Sequence, residues 1–191
     1  SYFFQQDPVM AFLSSIARIV DSLNDRIGSV IGWFTLAMVF VGALNALARY
    51  ATRYVGVSLS SNAYLDLQWY LFSLVFLLGS AYGLNNDHHV RVDIFYSRMS
   101  KITRAWINLL GATLLLLPFA ALMLWVSWGP ISMSWRIKEI SPDPGGLPRY
   151  PIKTVILISF FLLFFQGISQ IIKNIQLIRL NRANKSSRDM P

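Results

Sequence analysis

The sequence predicts an all-α membrane protein with four transmembrane helices, and three observations indicate this fold class. The chain is 54% hydrophobic and only 14% charged, whereas soluble domains carry roughly 25% charged residues. Its apolar residues are concentrated in four charge-free stretches, each long enough to supply the ~20 residues needed to cross a bilayer. None of these stretches alternates apolar and polar residues as a barrel strand would. The apolar segments are therefore interpreted as membrane helices.

Charged residues bound each of the four stretches. The stretches are Ile27–Ala48, Leu67–Asn86, Ala105–Trp135 and Thr154–Ile172. We predict helices at about 27–48, 66–86, 105–128 and 152–175, within one membrane domain of residues 1–191. The loop from Gly129 to Pro151 contains five of the eight prolines and is expected to be rich in turns.

The basic residues predict the orientation of the chain. Eleven Lys and Arg fall in the N-terminal segment, the second loop and the tail, against six in the other two loops. Cytoplasmic segments are enriched in Lys and Arg, so both termini are predicted to be cytoplasmic. The polar, basic end of the chain, residues 180–191, is expected to form a tail.

Residues 8–26 are predicted to form an amphipathic interfacial helix. Pro8 suits a first helical turn. Apolar residues from Val9 to Ile27 recur at helical spacing, while Arg18, Asp21 and Asp25 take the other face. A straight helix over 8–48 would be about 60 Å long, twice the bilayer core. The apolar face therefore lies against lipid or against a partner protein, and the sequence leaves both open.

The sequence contains few residues that indicate a catalytic, cofactor or transport site. It has no cysteine and only two histidines, and no charged residue lies in the central part of a predicted span. An intramembrane charge is the usual mark of ion or solute transport, so a stand-alone transporter or pore is disfavoured. The basic residues follow the span ends, so nucleic acid is not an expected partner, whereas membrane lipid is. No cofactor is expected.

Polar residues near and within the spans are expected to have structural roles. Five of them are predicted to hydrogen-bond across helices: Ser80, Asn108, Gln166, Ser169 and Gln170. Gly79 and Gly83 would allow a close helix approach. The run 85–93 contains His88 and His89, but adjacent histidines diverge, so metal binding is disfavoured there. Arg91 and Asp93 are instead expected to hold the turn after the second helix.

Several of these runs, taken in order, resemble the small permease subunits of tripartite ATP-independent periplasmic (TRAP) transporters. The runs are DLQWYLF at 66–72, LLGSAY at 77–82, HVRVD at 89–93, AWI at 105–107, LPF at 117–119, GGLP at 145–148, PIK at 151–153 and QGISQ at 166–170. The later runs are similar to a mannitol/chloroaromatic-like subgroup. Asp66 and Gln170 stand where the family often has Glu.

The resemblance implies a multi-pass subunit of the bacterial inner membrane that carries no transport site itself. A large TRAP permease would carry the solute and sodium sites, and a periplasmic substrate-binding protein would deliver an organic, carboxylate solute. The small subunit would scaffold the permease and help to dock the binding protein. The remaining alternative is a non-catalytic membrane anchor subunit of a respiratory or other enzyme complex.

The resemblance also implies roles for particular residues. Residues expected at the permease interface or in a structural role are Asp66, Trp69, Gly79, Gly83, His89, Arg91 and Asp93. Residues expected in a loop that docks the binding protein are Glu139, Asp143, Gly145, Gly146 and Arg149.

Overall fold

The computed structural model describes residues 8–56, 60–86 and 99–188, and these are helical apart from short connections. The helices are α1 (Pro8–Val55), α2 (Asn62–Asn85), α3 (Lys101–Gly111), α4 (Leu117–Arg136) and α5 (Tyr150–Arg188), and a π-helical turn at Ala112–Leu116 joins α3 to α4. Within these described residues, four segments are long and apolar enough to cross a membrane: α1, α2, α3 together with α4, and α5. The predicted all-α class, with four helices able to span a membrane by length and composition, is confirmed.

Helix α1 is continuous over the ranges predicted for the interfacial helix and for the first span. No proline follows Pro8 within α1 and its glycines are isolated, so no residue breaks the hydrogen-bond ladder. At ~1.5 Å per residue the helix is about 70 Å long, more than twice the bilayer core. The placement of residues 8–26 in the membrane interface stays a prediction.

Two prolines mark the third span. Pro118 cannot donate to the carbonyl of Leu114, and the π-helical turn Ala112–Leu116 ends two residues before the proline. Pro130 lies inside α4, which continues to Arg136. The expectation that the proline-rich loop starts at Gly129 is therefore wrong. Pro130 has no N–H to donate to the Val126 carbonyl, and a membrane helix tolerates the loss of one such bond.

Helix α5 is longer than predicted at its C-terminal end. It continues to Arg188, through most of the range expected to form a tail. The sequence contains neither proline nor glycine from 168 to 190, so nothing in it interrupts the helix. The final residues, 189–191, lie outside the described part of the chain.

The chain forms two compact units. The first contains α1 up to Asp25, α2 from Ala81, the chain from α3 to Leu122, and α5 from Phe161. Its core is built on small side chains, which let helices approach closely. The buried alanines of this unit are Ala17, Ala81, Ala105, Ala112 and Ala120. The second unit contains the rest of α1, α2 up to Ser80, α4 from Met123 and the start of α5, with Ile31 and Ile131 buried.

Candidate functional site

The loop of residues 137–149, between α4 and α5, is folded back on itself. Ile140 and Pro148 form an isolated antiparallel bridge. The Ser141 N–H donates to the Leu147 carbonyl at 3.1 Å, and the Arg149 N–H donates to the Glu139 carbonyl at 2.8 Å. These bonds give the loop a fixed backbone, although most of its side chains are at the surface.

Asp66 on α2 fixes the tip of this loop. Its side chain is buried, with 6% of the residue exposed, and its Oδ2 accepts a hydrogen bond from the Leu147 N–H at 2.9 Å. A Cβ on Gly146 would lie 2.5 Å from the same oxygen, so this position requires glycine. Asp66 was expected at the permease interface or in a structural role, and Gly146 in the loop that docks the binding protein. The structure places the two residues in contact.

Two more α2 side chains hold the loop. The Tyr70 hydroxyl lies 2.7 Å from the Pro148 carbonyl oxygen, and Asn62 Nδ2 donates to the Pro144 carbonyl at 3.0 Å. Sequence reasoning missed both contacts, because backbone carbonyl acceptors leave no trace in a sequence. A signal was present nevertheless: Asn62, Asp66 and Tyr70 recur every four residues on one face of α2.

The base of the loop is held by an ion pair. The Glu139 carboxylate pairs with Lys153 Nζ and accepts a hydrogen bond from Ser134 Oγ at 2.7 Å. The bond from Lys153, followed by that from Ser134, lowers the pKa of Glu139 below its ordinary value. Beside this pair the Trp135 indole N–H donates to Thr154 Oγ1 at 2.8 Å.

The other residues expected in the loop lie at its turn and at its end. Asp143 and Gly145 are exposed. Gly145 has a φ of +75°, which favours glycine, and the Asp143 carbonyl accepts a bond from the Gly146 N–H at 3.0 Å. Arg149 contributes its backbone to the fold of the loop. The turn therefore presents Asp143 outward from a braced backbone.

Four of the residues expected at the permease interface, including Asp66, lie along α2. Trp69 is exposed and packs edge-to-face on Phe72. A Cβ on Gly79 would meet only Ile31 Cδ1, at 4.0 Å, so space does not require glycine there. Gly83 is half-buried. His89, Arg91 and Asp93 lie outside the described residues, as does His88, the other disfavoured metal ligand.

A second constellation, in the first unit, is centred on α5. We call it the α5 polar cluster, and it consists of Asp21, Asn24, Asn85, Gln166, Ser169 and Lys173. Gln166 is fully buried; its Nε2 donates to Asp21 Oδ1 at 3.0 Å and its Oε1 accepts from Asn24 Nδ2 at 2.5 Å. Lys173 Nζ pairs with Asp21 Oδ2 at 2.5 Å.

The cluster ties α1 and α2 to α5. Ser169 Oγ donates to Asp21 Oδ1 at 2.8 Å, and Gln170 Nε2 donates to the Leu84 carbonyl at 3.2 Å. The prediction that Gln166, Ser169 and Gln170 bond across helices is confirmed. The roles of Asp21 and Lys173 were missed, because Asp21 was placed on the polar face of the predicted interfacial helix and Lys173 served only as the charge that ends the fourth stretch. Among the described residues, no group of three or more acids or histidines is placed to hold a metal ion.

Comparison with known proteins places the chain in a family. Residues 38–177 match the family described as "Tripartite ATP-independent periplasmic transporters, DctQ component". The chain belongs to this family. No curated protein and no solved structure is significantly similar to it.

Membership makes the chain the small membrane subunit of a TRAP transporter, as the resemblance implied. It is thus a component of a transporter, and the alternative of an enzyme anchor subunit is set aside. DctQ components work with a large permease and a substrate-binding protein in TRAP systems. The matched range contains the 137–149 loop and all of its partners on α2, whereas Asp21 and Asn24 lie before it.

Proposed function

We propose that this DctQ chain is a fixed supporting subunit of its transporter. It holds the large permease in place, and its 137–149 loop helps to dock the periplasmic substrate-binding protein. The observation that carries the proposal is the brace on this loop. Three α2 side chains and the Glu139–Lys153 pair hold the backbone of this loop, whose residues are exposed or half-buried. A preorganised exposed loop loses little conformational entropy on binding, so it suits recognition.

The exposed apolar surface of α1 supports a contact with the permease. None of the most apolar eighteen-residue stretch of α1 is buried within the chain, against 33% for α5. The large apolar side chains exposed on α1 include Trp33, Leu36, Phe40 and Leu47. An exposed apolar surface of this kind is covered by lipid or by another membrane protein. We assign part of it to the permease.

The distribution of Lys and Arg and the family resemblance support the remaining features. Both termini are cytoplasmic and the membrane is the bacterial inner membrane, which places the 137–149 loop on the periplasmic side. The permease carries the sodium and solute sites, and the solute is an organic carboxylate. We also assign the chain to the mannitol/chloroaromatic-like subgroup of the family.

Uptake by reconstituted complexes tests the docking role. The wild-type complex is compared with one in which residues 141–148 are replaced by an equally long Gly-Ser segment. We expect the replacement to leave assembly with the permease intact, to weaken binding of the substrate-binding protein and to slow solute uptake. The control is Arg179→Gln with Arg182→Gln, which changes exposed residues of α5 and should leave uptake unchanged.

Unchanged uptake and binding-protein affinity in the loop variant would contradict the docking role. Solute accumulation by this chain alone in liposomes would contradict the supporting role.

A further inference from the structure

A slot lies between α1 and α2 in the second unit, and it is polar at one end and apolar at the other. It consists of two adjoining cavities of about 380 and 410 Å³, which share Leu65 and Gln68. The polar half is lined by Asn45, Arg49 and Arg53. The apolar half is lined by Met38, Trp69 and Phe72. The slot therefore has the polarity pattern of an amphiphile.

Gly42 lets the Gln68 side chain pack closely against α1. A Cβ at this position would lie 2.8 Å from Gln68 Nε2, so any larger residue would displace the glutamine amide. Because Gly42 has no side chain, the amide of Gln68 lies against α1, at the point where the polar and apolar halves meet.

The polar half is suited to an anion. Arg49 and Arg53 are exposed and lie one helical turn apart, and no acidic side chain is among the described lining residues. Asn45 is 5% exposed, and its Oδ1 has no hydrogen-bond partner among the described residues. A buried amide oxygen without a donor is costly, and rotation about χ2 would bring Nδ2 to the same place, where it can donate to an oxygen of a ligand.

The length of the slot matches one leaflet of a bilayer. Met38 lies midway along the charge-free stretch Ile27–Ala48, and Arg49 is the first charge after it. A separation of eleven positions corresponds to a rise of about 16 Å along a helix, close to half of a ~30 Å hydrocarbon core. The apolar half thus lies at the depth of an acyl chain and the arginines at the depth of a phosphate.

We propose that this slot binds one glycerophospholipid with a net negative headgroup, of the phosphatidylglycerol class. Arg49 and Arg53 bind the phosphate, Asn45 donates to an ester carbonyl, and the acyl chain packs along Met38, Trp69 and Phe72. A zwitterionic ethanolamine lipid would bring its ammonium group beside two guanidinium groups, so the slot discriminates against it. Trp69, expected from sequence at the permease interface, is here a lipid contact. The proposal does not depend on the docking role of the 137–149 loop.

Native mass spectrometry of the full chain, co-purified with its large permease, tests the proposal. The complex is exposed to micelles with equal amounts of phosphatidylglycerol and phosphatidylethanolamine. We expect one phosphatidylglycerol to be retained in preference to the ethanolamine lipid. Arg49→Gln with Arg53→Gln should weaken the binding of phosphatidylglycerol about thirtyfold, as the loss of two charges at a lipid surface predicts.

Two further variants make the result specific. Arg136→Gln with Lys138→Gln removes the same charge from exposed positions and should leave lipid retention unchanged. Met38→Trp fills the apolar half without changing charge and should lower retention, so it carries the test if the arginine variant does not assemble. Equal retention of both lipids, equal loss in the two charge variants, or no loss with Met38→Trp would each overturn the proposal.

Discussion

The α5 polar cluster and the 137–149 loop use polar side chains in opposite ways. In the cluster, buried side chains bond mainly to one another, and Gln166 connects Asp21, Asn24 and Asn85. In the loop, α2 side chains bond mainly to backbone groups, and the turn residue Asp143 stays exposed. The first arrangement specifies which helices pack together. The second fixes the shape of a surface.

The difference indicates where stability and recognition reside. A buried polar network is costly when one member is removed, because its partners are left unsatisfied. A surface loop contributes less to global stability, but its shape depends on each brace. Changes in the cluster should therefore affect the whole first unit, and changes in the loop should act locally.

The largest effect is expected for Gln166→Leu. The substitution keeps the size of a fully buried side chain but leaves partners in Asp21, Asn24 and Asn85 without their bonds. We expect a loss of about 1–3 kcal/mol in the free energy of unfolding, measured by denaturant unfolding of the full chain in mild detergent. Gln176→Leu is the control, since Gln176 lies on the same helix and its amide bonds to no other described residue. Equal stability of the two variants would show that the cluster has no special role.

A smaller and local effect is expected for Gly146→Ala. The added Cβ would collide with the Ser141 side chain and with the Asp66 carboxylate, so the Leu147 N–H loses its acceptor and the turn is displaced. Hydrogen exchange at Leu147 and Ser141 should accelerate about tenfold or more, while global stability changes little. Gly129→Ala is the matched control, because a Cβ there meets nothing within 4 Å. Exchange that is the same in both variants would mean that Asp66 does not hold the loop.

The smallest effect is expected on the mobility of the 137–149 loop when the pH is lowered. The pKa of Glu139 is lowered in the folded chain, chiefly by its bond from Lys153. The bond therefore contributes above the ordinary pKa of a glutamate, about 4.3, and is lost as pH falls through the lowered value. The chain has no cysteine, so a spin label on Asp143→Cys reports on the loop alone. Label mobility should rise on acidification in the wild-type background.

The same label in Glu139→Gln provides the control for this pH effect. The amide has no charge to lose in this range, so the acid-induced rise in mobility should be absent. A rise of the same size at the same pH in both proteins would assign the transition to another group.

Much of the fold could be predicted from the sequence, because the bilayer requires long charge-free helices. The four spans follow from this requirement, and the interhelical bonds of Gln166 and Ser169 follow from the cost of polar groups in apolar surroundings. The sequence did not reveal that the charges at 21 and 173 pair, since pairing depends on which helix ends meet.

The candidate site was predicted only in part. The run around Gly146 predicted a turn, and Asp66 was recognised as a residue of interest, but their contact depends on the tertiary arrangement of α2 and the loop. Most of the loop's partners are backbone atoms, which every residue possesses and no sequence pattern marks. The α1–α2 slot could not be predicted for a similar reason. Arg49 and Gln68 form no pattern in the sequence, and they become neighbours only when α1 and α2 pack together.

The affinity of the substrate-binding protein for complexes with a loosened loop tests the central claim most directly. Asp66→Ala removes the acceptor for the Leu147 N–H, and Asp66→Asn, which keeps an acceptor oxygen, is the matched variant. With the complexes assembled in nanodiscs, the alanine variant should bind the binding protein about tenfold more weakly than wild type, and the asparagine variant should lie between them. Equal affinity of all three complexes, with a loop shown to be loosened in the alanine variant, would contradict the account.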